Sequence, residues 1–127
     1  MATETYRGMI TVGDHGDSMD VLFLGHPHYE EPLAELICDD IEEHGNYLTV
    51  RYWTADAPMS DDAIKTAAVR LVLGDADVKF EPHYSEITGY LWTTEEIEVG
   101  GHDLLEELTA QVGRYCLLEI TYDKEKP

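Results

Sequence analysis

The chain has 127 residues, 43% of them hydrophobic, which is enough for one ordinary domain with a real core and too few for two. Its 27 Asp and Glu against 8 Lys and Arg give a net charge of −19, which argues against direct nucleic-acid binding and against an anionic membrane surface. No apolar run approaches the roughly 20 residues of a membrane-spanning helix, residues 1–5 carry no signal-peptide pattern, and Cys38 and Cys116 make neither a disulfide framework nor a metal-type spacing, so a soluble cytoplasmic protein is expected.

In chain order, a glycine-bearing strand at 7–10 precedes a second strand at 21–26. Val21, Leu22, Phe23 and Leu24 are apolar without alternation, which suits a strand covered on both faces. A helix follows at about 32–44, with Pro32 in its first turn, Leu33, Leu36, Ile37 and Ile41 on one stripe, and Gly45 as its stop. The next strand, 47–52, places Leu48, Val50 and Tyr52 on one face. Residues 55–82 read as an insertion. Ser60 caps a helix there, Asp61 and Asp62 favour its dipole, and Ile64, Ala67, Ala68, Leu71 and Val72 form its apolar face. Gly74 ends that helix, and a short strand at 78–80 follows.

The opening pattern then returns. A glycine-bearing strand at 88–91 and a strand at 97–102 lead into a helix around Leu105 and Leu108, with Asp103 and Glu106 spaced as a capping box. Gly113 follows, and the strand 115–120 sets Cys116, Leu118 and Ile120 against Leu48, Val50 and Tyr52. The expected fold is therefore one α+β domain over 1–127, built from a duplicated ββαβ unit (about 3–54 and about 84–123) with a helical insertion between the copies. A small barrel or two packed sheets with three helices would satisfy it. Tyr47, Trp53, Tyr90, Trp92 and Tyr115 are expected beneath the helices as core rather than on an open contact face.

The acids are not evenly spread. Residues 8–50 contain ten acids and no Lys or Arg, and residues 80–113 contain eight acids and again no Lys or Arg. On the first helix Glu31, Glu35, Asp39, Glu42 and Glu43 follow one another at near-helical spacing, where like-charge neighbours each cost a few tenths of a kcal/mol. A face that disfavours its own helix invites an explanation outside it: solubility, adaptation to high salt, or docking on a basic surface of a partner protein, as a nucleic-acid-mimicking inhibitor would. The last is the leading expectation, with Glu106 and Glu107 on the second helix as further contact residues.

Chemistry has fewer candidates. His26 and His28, with Glu30 beside them, could hold a metal ion and serve a small-ligand or hydrolytic site, but a loop containing Pro27 fixes no geometry and no H-E-x-x-H spacing is present. No serine sits in a nucleophile elbow, and the acids flanking Cys38 would raise a thiol pKa. A binding protein without catalysis or cofactor is favoured over an enzyme. An exposed edge strand would permit a homodimer without specifying one.

Overall fold

The computed structural model describes residues 2–14, 20–25, 31–84, 86, 87, 89 and 91–126. Among the described residues, seven strands form one antiparallel sheet: β1 (Ala2–Asp14), β2 (Asp20–Leu24), β3 (Tyr47–Ala55), β4 (Arg70–Tyr84), β5 (Leu91–Val99), β6 (His102–Asp103) and β7 (Tyr115–Asp123), in the spatial order β2-β1-β7-β3-β4-β5-β6. Three helices, α1 (Leu33–His44), α2 (Asp61–Ile64) and α3 (Leu104–Thr109), complete an α+β domain.

The sheet curls. Helix α1 touches β2, β7 and β5, which lie far apart in the strand order, and α3 touches both β1 and β5. Both helices therefore fill one concave face, where the inward residues of β3 (Leu48, Val50, Tyr52) meet those of β7 (Cys116, Leu118, Ile120, Tyr122) and Leu33, Ile37, Leu104 and Leu108 from the helices. Each of these buried apolar side chains contributes about 1.5–3 kcal/mol relative to exposure. A smaller cluster of Trp53, Ala55, Leu117 and Ile64 lies outside this main core, where α2 meets β3. Leu22 and Phe23, of opposite phase, are both buried, so β2 is covered on both faces although it is an edge strand.

Local signals account for the helix ends. Pro32 is the N-cap of α1 rather than a first-turn residue, and the Gly45 N–H closes the helix on the Ile41 carbonyl at 2.9 Å. Asp103 caps α3 by accepting the Glu106 N–H at 3.0 Å, as the capping spacing implied.

The expected helix between Ser60 and Gly74 is where the sequence reading fails. Ser60 does cap a helix, accepting the Ala63 N–H at 3.3 Å, but α2 ends at Ile64 and Arg70–Tyr84 is a 15-residue strand. Ile64, Ala67, Ala68, Leu71 and Val72 fit a helical stripe, yet only Ile64 and Val72 are buried, and Leu71 and Leu73 point outward with Val72 between them. Pairing decides the competition: Arg70–Asp75 finds the edge of β3 and Ala76–Tyr84 finds β5, which satisfies more backbone groups than a helix with a half-exposed stripe. Gly74 is consequently a strand residue. The strand expected at 97–102 is instead the end of β5 (Leu91–Val99) and the start of the two-residue β6, separated by Gly100 and Gly101, whereas residues 88 and 90 of the strand expected at 88–91 lie outside the described residues. Strand β4 thus begins at Arg70, inside the stretch expected as an insertion.

Candidate functional site

Helix α1 separates two chemistries. Its inward stripe fills the core, whereas Glu35, Asp39, Glu42 and Glu43 are all exposed, with Glu31 exposed just before the first turn. Five of the eight Lys and Arg residues pair with acids outside this helix. Arg7 pairs with Asp61 at 2.9 Å, Lys65 with Glu119 at 2.7 Å, Arg70 with Glu107 at 2.9 Å and Arg114 with Asp56 at 3.4 Å, while Lys79 sits 3.5 Å from Glu98. Among the described residues, no Lys or Arg pairs with any acid of α1, and the His44 imidazole near Glu43 at 3.8 Å is the one basic group beside them. Five exposed acids thus form a ridge that, among the described residues, has no Lys or Arg partner. Glu106 on α3 is also exposed, with no described Lys or Arg partner.

Glu107 differs from the other expected contact residues because it is engaged inside the chain. Its carboxylate accepts two hydrogen bonds from Arg70, at 2.9 and 3.1 Å, and one from the Tyr52 hydroxyl at 2.9 Å. The Arg70 hydrogen bonds hold Glu107 below the usual carboxylate range, and burial, aided by the bond to Glu107, pushes the Tyr52 phenol up to about 12. The group ties α3 to β3 and β4.

A second polar cluster lies where α1 crosses β1 and β7, and the sequence reading selected none of it. Asp40 and His44, one turn apart on the helix, meet Glu4 of β1, with one ligand atom from each lying within 4.8 Å of the others. The Tyr6 hydroxyl donates to Asp40 Oδ2 and lies 2.7 Å from the Tyr122 hydroxyl. A phenol has one proton, so Tyr122 donates to Tyr6 and Tyr6 to the carboxylate. Tyr122 is fully buried, and burial together with the Asp40 bond pushes the Tyr6 phenol well above its usual range. The His44 ring tilts against Tyr122, centroids 6.4 Å apart. The i, i+4 spacing of Asp40 and His44 was visible in the sequence. Their juxtaposition with Glu4 and Tyr6 depends on β1 pairing with β7, more than a hundred residues away, which no local pattern encodes.

The third group of expected site residues, His26, His28 and Glu30, lies outside the described residues, as do Tyr90 and the side chain of Trp92. Tyr47 and Trp53 are buried and Tyr115 half-buried, in keeping with a core role. No helix among the described residues is long and apolar enough to cross a membrane. Comparison with protein-family models, with curated proteins and with solved structures gives no match to this chain.

Proposed function

We propose that the chain is a non-enzymatic acidic binding protein that engages a basic surface of a partner protein, in the manner of a nucleic-acid mimic. The observation that carries this reading is the segregation of charge: Arg7, Lys65, Arg70, Lys79 and Arg114 pair with acids outside α1, and among the described residues the exposed acids of α1 and Glu106 have no Lys or Arg ion-pair partner. Such a ridge attracts a basic groove over about 10 Å at moderate salt and speeds encounter more than it deepens affinity. Glu31, Glu35, Asp39, Glu42, Glu43 and Glu106 are the contact residues; Glu107 serves the fold that presents them.

A duplicated ββαβ unit accounts for the scaffold, with copies at about 2–55 and 70–123. Supporting it, β1-β2-α1-β3 and β4-β5-α3-β7 have the same order, and their last strands pair at the centre of the sheet. Two close approaches also recur. Gly8 packs on the Leu24–Gly25 backbone as Gly74 packs on Gly100, and Ile10 N–H bonds the Arg114 carbonyl (2.8 Å) as Ala76 N–H bonds that of Asn46 (2.7 Å).

The test is competition with duplex DNA for purified DNA-binding proteins, comparing the chain with its Glu35→Lys, Asp39→Lys, Glu42→Lys variant. Displacement that falls steeply with salt and disappears in the variant, with unfolding unchanged, is the expected result. Equal displacement by both would overturn the reading.

A further inference from the structure

We propose that Glu4, Asp40 and His44 form a binding site for a divalent first-row transition-metal ion, independent of the docking reading. Two carboxylates and one imidazole are a mixed oxygen and nitrogen donor set of the kind that suits Mn²⁺, Fe²⁺, Co²⁺ or Zn²⁺ and leaves coordination positions open. Their ligand atoms already lie within 4.8 Å of one another, so an ion can be reached by all three with small side-chain adjustments.

Three features separate this cluster from the acidic ridge around it. First, the three side chains are only partly exposed and come from two elements, β1 and α1, that the core holds in place. Second, the Asp40 carboxylate is oriented from behind by Tyr6, which is itself fixed by the buried Tyr122; metal-binding carboxylates are characteristically hydrogen-bonded in this way, which leaves the remaining carboxylate electron pairs for the ion. Third, Glu4 and Asp40 are brought together half-buried with no Lys or Arg paired to either among the described residues, and an ion supplies the missing positive charge. His44 contributes the nitrogen that favours a transition metal over Ca²⁺ or Mg²⁺, and Glu43 lies 3.8 Å from its Nε2.

The test titrates Mn²⁺ and Co²⁺ alone into the whole chain by calorimetry, in high KCl with Mg²⁺ in excess so that diffuse attraction to a net charge of −19 is saturated. One saturable site per chain is expected, with a change in the Co²⁺ visible spectrum. His44→Gln and Glu4→Gln should each remove the site, and Tyr6→Phe, which touches no ion, should weaken it about 10- to 100-fold while the chain remains folded. Three results would overturn the proposal: no saturable binding, binding unchanged in His44→Gln and Glu4→Gln, or binding lost in a His26→Ala, His28→Ala variant but kept in His44→Gln.

Discussion

Alanine at Gly100 and at Gly101 separates two costs that usually arrive together. Both glycines lie between β5 and β6 with positive φ, +57° and +84°. An L-residue held in that region pays roughly 1–2 kcal/mol. Their surroundings differ: a Cβ on Gly100 would stand 2.2 Å from the Leu73 carbonyl oxygen, whereas one on Gly101 meets nothing within 4 Å. Leu73 lies in the β4 ladder opposite Thr49, so it cannot retreat without disturbing that pairing. Overpacking of this kind adds about 1–3 kcal/mol. Gly101→Ala should therefore cost about 1–2 kcal/mol and Gly100→Ala about 2–5 kcal/mol, the latter a large part of the total stability of a domain this size. Urea unfolding followed by circular dichroism reads both, with the midpoint moving and the slope unchanged. Equal losses, or a larger loss at Gly101, would refute the close approach of β4 to the β5–β6 turn.

Glu107→Gln should cost about 1 kcal/mol at neutral pH, a value discounted for partial exposure. The folded carboxylate titrates below its unfolded value, so its stabilisation is full above the usual Glu range of about 4.3 and is lost as pH falls through the folded value. The deficit of the variant should thus shrink in acid, and a deficit that stays constant in urea titrations at neutral and acidic pH would contradict the Arg70–Glu107–Tyr52 assignment. In thermal unfolding across KCl, relief of self-repulsion should be complete near 1 M, where the Debye length is about 3 Å. A melting temperature that keeps climbing well beyond that salt concentration would make the acids an adaptation to salt and remove the main support for docking.

What the sequence disclosed follows the range of the interactions involved. Helix α1, strand β3 and the inward set of β7 were legible because their patterns are local: Leu33 and Ile37 mark a helical stripe, Leu48, Val50 and Tyr52 an alternating one, and Asp103 a cap. Strand β4 was misread because Ile64, Ala67, Ala68 and Leu71 satisfy a helical period, whereas the fate of Arg70–Asp75 was settled by the open edge of β3. The acidic ridge was legible as composition. That Glu107 stands apart from it is not legible locally, because its partner Arg70 falls inside the stretch whose pattern is helical and meets Glu107 only once that stretch pairs as β4. The Glu4–Asp40–His44 cluster required knowing that the first strand and the last lie side by side.

That neighbourhood governs how the chain can be made. Strand β7 follows every other strand in the sequence, yet it occupies the slot between β1 and β3. During synthesis the β1–β2 hairpin and the β3–β4–β5 meander emerge first, each with a bare inner edge that the other cannot close. On arrival, β7 pairs with both inner edges and completes the wall against which Leu33, Ile37, Leu104 and Leu108 pack. The central pairings of the sheet are therefore long-range ones that need residues 115–123, and a chain lacking them would leave the inner edges of β1 and β3 unpaired, open to pairing with other chains.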